Sequence, residues 1–156
     1  MTYTVLFETS CSVTGVLCTV TDEEAPFLNG RRLTRTLSLN GECQSEAFVE
    51  ADGSLSLAQP LELVQVMLLL SLSWIVKRPS PRVLIAGLGG GSLPRALVAL
   101  SDTHAHCVEL EPEVIAAAQQ TFALPAGPRC TATAADAGAY LATLAAAAKA
   151  RCRATS

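Results

Sequence analysis

The sequence predicts an α/β fold in which a small region of β-hairpins precedes a parallel sheet. Two observations carry this prediction. From residue 82 onward, short apolar runs alternate with helical patterns, and strands that alternate with helices form right-handed βαβ units. Before residue 50, runs rich in Thr, Val and Leu are separated by polar turns, which is typical of antiparallel strands.

The composition indicates a folded chain and excludes several classes of function. Of the 156 residues, 50% are hydrophobic and 16% are charged, so the chain can bury a core of its own. The net charge of -3 and the scattered basic residues argue against nucleic-acid binding, which needs clustered Lys and Arg. The apolar run at residues 61–76 is shorter than the roughly 20 residues of a membrane span. We therefore expect a buried core helix there, and no membrane association.

The six cysteines indicate a reducing compartment. None are spaced as Cys-x-x-Cys, and several lie in apolar runs, as buried free thiols do. Residues 1–10 lack the basic start and the apolar block of a secretory signal. We therefore expect a cytoplasmic protein.

The pattern of elements divides the chain into three regions. Residues 1–58 form the N-terminal hairpin region, with Asn40-Gly41 as a hairpin turn because both turn positions require positive φ. Residues 59–80 hold a core helix that begins near Pro60 and a linker rich in Pro, Ser and basic residues. Residues 81–156 alternate between strands and helices. The strands are predicted at 82–86, 105–110 and 129–134, and the helices at 92–100, 112–122 and 137–150.

A glycine-rich turn after the strand at 82–86 carries the chemical signal. It reads Gly87-Leu88-Gly89-Gly90-Gly91-Ser92 and opens a helix. Gly87 permits a tight turn, while Gly89 and Gly91 are expected to leave room where the backbone approaches a ligand. The helix start offers free N–H groups and a positive dipole end. Such a loop accepts a negatively charged or polar group, such as a pyrophosphate or a carboxylate.

Acidic residues end the next two predicted strands. Glu109 and Glu111 follow the glycine turn by about twenty residues, where a carboxylate can accept hydrogen bonds from both ribose hydroxyls. Asp136 ends the third strand and has two interpretations, a bond to the exocyclic amine of an adenine or a cap on the alanine-rich helix. The ordered set predicts a nucleotide site, and the alternative is a structural turn with exposed glutamates.

Other motifs fit the sequence less well. A P-loop needs Gly-Lys-Ser/Thr, which the chain lacks. Ser92 stands where the NAD fingerprint has Gly or Ala, and Gly90-Gly91-Ser92-Leu93-Pro94 lacks the last glycine of a hydrolase elbow. We interpret Ser92 as a helix N-cap. His104, His106 and Cys107 have no further ligand at zinc spacing, so we predict no metal site.

These motifs resemble the spermidine-synthase-like branch of class I S-adenosylmethionine-dependent transferases, and are similar to its methyltransferase-like-13 type. The resemblance rests on residues 87–94, on Val108-Glu109-Leu110-Glu111-Pro112 and on Asp136-Ala137. Residues 37–47 are similar to the N-terminal hairpin region of that branch, and the resemblance covers residues 33–142. It implies a Rossmann-like sheet, S-adenosylmethionine as cofactor, and methyl transfer to a protein acceptor of the elongation-factor type.

The resemblance also implies a set of cofactor-binding residues. The glycines would pass beside the methionine part of the cofactor, and Glu109 would hold the ribose. Asp136 and the backbone of Ala137 would meet the adenine, and Gln44 would lie near the cofactor. The full set is Gln44, Gly87, Gly89, Gly90, Gly91, Glu109, Asp136 and Ala137.

Departures from the family pattern bear on the reaction. The glycine loop of aminopropyltransferases resembles Gly-Gly-Gly-Asp-Gly-Gly, whereas this chain has Gly-Leu-Gly-Gly-Gly-Ser. They also carry Tyr-His-Glu after the hairpins, where this chain has Pro60-Leu61-Glu62. Both departures favour methyl transfer, with a polyamine aminopropyltransferase as an alternative.

The catalytic segment of the family, Tyr-Asp followed by an apolar strand, has no match before Ser156. We therefore assign no catalytic residue and expect an incomplete class I methyltransferase fold. Whether the chain is itself an enzyme stays open, because it can also be a truncated, non-catalytic cofactor-binding module. The missing strands predict an unpaired sheet edge, which a dimer would cover.

Overall fold

The computed structural model describes residues 3–27 and 30–154. Its strands form an antiparallel sheet in the order β1-β2-β3-β4 and a parallel sheet in the order β5-β6-β7. This is an incomplete Rossmann-like α/β arrangement preceded by hairpins, as predicted. The elements are β1 (Tyr3–Ser10), β2 (Leu17–Phe27), β3 (Gly30–Leu39), β4 (Glu42–Phe48), α1 (Glu62–Ile75), β5 (Arg82–Ala86), α2 (Ser92–Leu100), β6 (His104–Glu109), α3 (Pro112–Thr121), β7 (Cys130–Ala134) and α4 (Ala137–Ala154).

The hairpin between β3 and β4 forms where the sequence predicts it. Asn40 and Gly41 have φ of 49° and 83°, the left-handed values that a two-residue hairpin turn requires. The strands of this sheet alternate apolar and polar residues, so one face is buried. Cys18, Val20 and Leu37 on that face are fully buried, and they provide the surface against which the second half of the chain packs.

Helix α3 lies between the two sheets. Its residues Val114 and Ala117 belong to the core cluster of the hairpin sheet, which also contains Val20 and Leu37. Ala118, one position further along, belongs to the cluster under the parallel sheet. The small alanine side chains allow both sheets to approach the helix closely. As a result, the hairpin sheet lies beside the carboxyl ends of the parallel strands, where the glycine turn is.

The burial of α1 differs from the prediction of a buried core helix. Only Ile75 of this helix is buried. Leu68 and Leu72 pack partly against the parallel-sheet cluster, so the helix buries one narrow row of side chains. The physical reason is that α1 packs mainly against α2, so its remaining sides have no neighbour among the described residues. No helix in the described ranges is long and apolar enough to cross a membrane.

The cysteines divide into buried and exposed groups. Cys11, Cys18, Cys107 and Cys130 are buried, which confirms the interpretation of several thiols as core residues. Cys43 and Cys152 are exposed. Burial raises the pKa of the Cys11 thiol to about 11, so this thiol stays protonated at neutral pH.

Candidate cofactor site

The turn between β5 and α2 depends on its glycines. Gly87, Gly89 and Gly91 have φ of 85°, 53° and 75°, a region that side-chain-bearing residues rarely adopt. Gly91 is the N-cap of α2, so the prediction that Ser92 is the N-cap is wrong. The Ser92 hydroxyl instead donates to the backbone oxygen of Glu46, at 3.2 Å. It therefore fastens the start of α2 to strand β4.

Side chains of other elements lie close to two glycines of this turn. A Cβ atom on Gly89 would collide with the Ser45 hydroxyl, and one on Gly91 would lie 2.7 Å from the Leu124 side chain. At these two glycines the space that a side chain would need is taken by other parts of the chain, and a contact of their backbone with a ligand stays a prediction. Only Gly87, among the glycines of this turn, faces space with no described atom within 4 Å of a Cβ position.

The Ser45 hydroxyl connects the hairpin sheet to the turn. Its oxygen accepts a hydrogen bond from the N–H of Gly90, at 2.8 Å, and Ser45 is buried. This bond satisfies one of the amides that the turn would otherwise leave without a partner. Strand β4 is therefore one wall of the site.

Glu109 at the end of β6 braces the turn. One carboxylate oxygen accepts a hydrogen bond from the N–H of Leu88 at 2.8 Å, and the other accepts one from the N–H of Glu111 at 3.2 Å. A carboxylate has about four lone-pair sites, so Glu109 keeps acceptor capacity for a ligand. The side chain is half-buried and lines the cavity that lies beside the turn.

This cavity has a volume of about 290 Å³. It brings together four residues of the predicted set from separate parts of the chain, namely Gln44, Gly87, Gly89 and Glu109. Apolar side chains of β3 and α1, among them Leu37, Leu63 and Met67, complete its wall. The volume is near the lower end of the range for small-molecule sites.

The other predicted residues lie outside the lining of this cavity. Gly90 and Gly91 are buried behind it. Asp136 caps α4, because its Oδ1 accepts a hydrogen bond from the N–H of Ala139 at 2.8 Å. The capping interpretation of Asp136 is therefore confirmed, while its contact with an adenine stays a prediction. The N–H of Ala135 donates to the backbone oxygen of Glu109, which places Asp136 at the same sheet end.

Glu111 has a structural role that sequence reasoning missed. It is 3% exposed, and its carboxylate accepts hydrogen bonds from the N–H groups of Val13 and Thr14, at 3.0 and 2.8 Å. Its ligand atoms also lie within 4.8 Å of those of Cys11 and Glu113. The turn that it holds is 97 residues away in the sequence, so no local pattern could indicate the contact.

The histidines and Cys107 separate in the structure. Successive side chains of a strand point to opposite faces, so His104 and His106 share one face while Cys107 is buried on the other. The Nδ1 atom of His106 lies 2.7 Å from the Thr131 hydroxyl. These three side chains therefore do not converge on one point.

A change of pH should reveal the Glu111 contact. Burial raises the pKa of this carboxyl, but the bonds from Thr14 and Val13 outweigh it, and the pKa is lowered from 4.5. A lowered folded-state pKa gives stability that is present above the unfolded pKa and lost as pH falls through the folded one. We expect Glu111→Gln to unfold more easily than wild type at pH 7, with the difference shrinking in acid.

Urea unfolding at a series of pH values would measure this difference. Glu8→Gln, at an exposed position, is the matched control and should change stability little at any pH. If Glu111→Gln lowered the free energy of unfolding by the same amount at neutral and acid pH, the proposed link between the protonation of Glu111 and folding would be contradicted.

The chain is similar to two solved structures. A probable spermidine synthase from Corynebacterium glutamicum superposes with a TM-score of 0.61 at 15% identity, over 83% of this chain and 44% of that chain. Human methyltransferase-like protein 13 in complex with SAH matches with a TM-score of 0.44 at 29% identity, over 54% of this chain and 38% of that chain. No protein-family model and no curated protein sequence matches the chain.

The chain therefore shares its fold with the matched part of the probable spermidine synthase, as the resemblance seen in the sequence implies. The chain spans less than half the length of either of these two proteins.

Proposed function

We propose that the chain binds S-adenosylmethionine in the cavity beside the glycine turn, as the cofactor-binding part of a methyltransferase. The observation that carries this proposal is the position of Glu109. Its carboxylate lies at the cavity wall, bonded to the N–H of Leu88 in the turn, with acceptor capacity left over. A ribose with two adjacent hydroxyls suits such an acceptor.

The other lining residues fit the remaining parts of this ligand. The open space beside Gly87 admits a ligand against the backbone of the turn. The amide of Gln44 supplies both hydrogen-bond donors and an acceptor for a charged amino-acid group. Leu63 and Met67 of α1 provide apolar surface that keeps water from the bound molecule.

When bound, S-adenosylmethionine supplies a methyl group attached to a sulfonium. A nucleophile of the acceptor would bond to the methyl carbon while the carbon–sulfur bond breaks, and the neutral thioether would be the leaving group. The rate of such a transfer depends chiefly on the alignment of the acceptor. We propose a protein acceptor, of the elongation-factor type that the sequence resemblance implies. The described residues near the turn contribute binding and orientation.

A polyamine aminopropyltransferase is the second candidate, and the fold of the probable spermidine synthase favours it equally. Pro60-Leu61-Glu62 in place of Tyr-His-Glu favours methyl transfer. Assays of the purified chain separate the candidates. Methyl transfer to protein supports the first, and product from decarboxylated S-adenosylmethionine with putrescine supports the second. Cofactor binding without either product supports a non-catalytic module.

Replacement of Glu109 by Ala tests the binding site itself. We expect S-adenosylmethionine to bind at least about tenfold more weakly, because the variant loses an acceptor for the ribose and the brace on the turn. Calorimetric titration measures the dissociation constant. Glu8→Ala is the control and should bind as wild type does. Undiminished binding by Glu109→Ala would contradict the assignment of this carboxylate.

A further inference from the structure

One thiol and two carboxylates converge where the turn after β1 meets the start of α3. One ligand atom from each of Cys11, Glu111 and Glu113 lies within 4.8 Å of the other two. Cys11 and Glu111 are buried, whereas Glu113 is half-buried. Glu113 therefore gives these side chains a path to solvent, which a metal site needs for the ion to enter. We call the three residues the Cys11–Glu111–Glu113 cluster.

The two carboxylates of the cluster have no basic side chain beside them. None of the ion pairs formed within residues 3–27 and 30–154 includes Glu111 or Glu113. Glu111 is the N-cap of α3, and Glu113 lies in the first turn of that helix. The helix dipole places about half a positive charge at this end, which is less than the two carboxylates carry. Buried charges are either paired or coordinate a metal ion, so the cluster favours a cation.

One carboxylate oxygen of the cluster is buried without a hydrogen-bond partner. Among the described residues, no group donates a hydrogen bond to the Oε2 atom of Glu113, and solvent does not reach this atom. Both oxygens of Glu111, by contrast, accept hydrogen bonds, from the N–H groups of Val13 and Thr14. A carboxylate has about four lone-pair sites, so Glu111 also keeps acceptor capacity. A buried oxygen without a partner destabilises the fold unless a cation or a donor meets it.

We propose that the Cys11–Glu111–Glu113 cluster binds a zinc ion. One thiolate sulfur and two carboxylate oxygens are ligands that Zn²⁺ accepts, whereas Mg²⁺ and Ca²⁺ prefer oxygen alone. Ligand atoms bonded to zinc at about 2.0–2.3 Å in a tetrahedron lie roughly 3.5 Å apart, so separations in the cluster close by at most about 1.3 Å. Water takes the fourth position. On binding, the Cys11 thiol releases its proton to solvent, and its sulfur bonds to zinc.

The surroundings of the cluster fit a structural role for the ion. The buried thiol of Cys18 is hydrogen-bonded to that of Cys11. Once Cys11 is a thiolate, Cys18 can donate its own proton toward that sulfur and orient the ligand. Cys11 follows β1, whereas Glu111 and Glu113 belong to the start of α3. The ion therefore links the hairpin sheet to the helix that lies between the two sheets.

Cobalt substitution tests the proposal, because Co²⁺ enters zinc sites and a bond between cobalt and a thiolate absorbs in the near ultraviolet. We expect the chain, freed of metal by a chelator, to bind one Co²⁺ with this absorption and to release it to Zn²⁺. Cys11→Ala should lose the absorption, and Glu113→Gln should raise the dissociation constant for Co²⁺ at least about tenfold. Cys43→Ala, at an exposed cysteine, is the matched control and should bind as the wild-type chain does.

Far-UV circular dichroism shows whether each variant is folded. Glu113 is half-buried, so Glu113→Gln tests the site even if Cys11→Ala does not fold. A wild-type chain that unfolds in the chelator and refolds with Zn²⁺ but not with Mg²⁺ also supports the proposal. Absorption that survives Cys11→Ala, unchanged affinity in Glu113→Gln, or no saturable uptake of either Co²⁺ or Zn²⁺ would overturn it. The titrations contain no S-adenosylmethionine, so their outcome is independent of the proposed function.

Discussion

Gly90→Val is expected to lower the free energy of unfolding by about 3 kcal/mol, the cost of forcing side-chain atoms into a filled core. A Cβ atom on Gly90 would lie 2.8 Å from two ring carbons of Phe122. Phe122 is fully buried, so its ring has no free space into which it can move. Thermal unfolding followed by circular dichroism should show a melting temperature lower by roughly 6–12 °C for a chain of this size.

Further variants separate a clash at this position from a general effect of replacing glycine. Gly127→Ala is the matched control, because its Cβ would meet no atom within 4 Å and its φ is not positive. It should be neutral or slightly stabilising. In a Gly90→Ala background, Phe122→Leu should recover part of the loss because it removes the ring. Strictly additive effects of the two substitutions would contradict the clash.

The parts of the fold that the sequence predicted depend on local patterns. The turn at Asn40-Gly41 and the course of β5, the glycine turn and α2 follow from φ requirements and from apolar periodicity within about ten residues. Such signals are present in the sequence itself and need no knowledge of distant contacts. The three parallel strands, in the order β5-β6-β7, follow from the alternation of strand and helix patterns along the chain.

Features that depend on distant contacts were not predictable in this way. Position 90 requires glycine because the Phe122 ring fills the space that a side chain would need. Glu111 binds a hairpin turn near the start of the chain. The exposure of α1 likewise depends on its contact with α2, which lies about thirty residues further along the chain. Gln44 could be placed near Glu109 only through the family resemblance, since no local pattern relates β4 to β6.

Arg35→Ala is expected to cost about 3 kcal/mol of stability, because it breaks a largely buried ion pair. Arg35 lies opposite Asp22 on neighbouring strands, with both guanidinium–carboxylate distances at 2.7 Å and side-chain exposures of 15% and 14%. The guanidinium also donates to the backbone oxygen of Thr121. This residue ends α3, where a positive charge stabilises the helix dipole. The pair thus fastens the hairpin sheet to the helix between the two sheets.

Urea unfolding of four variants measures the contribution of this contact. Arg31→Ala is the matched control, because Arg31 pairs across the same two strands with Glu24 at 3.3 Å but the two side chains are 49% and 69% exposed. It should cost less than about 1 kcal/mol. Asp22→Ala completes a double-mutant cycle with Arg35→Ala. The double variant should lose clearly less stability than the two single variants added together. Each single variant leaves one largely buried charge without its partner, whereas the double variant leaves none. Equal losses for Arg35→Ala and Arg31→Ala would show that burial of the Arg35 pair contributes nothing, and that the hairpin sheet is held to α3 by its apolar contacts alone.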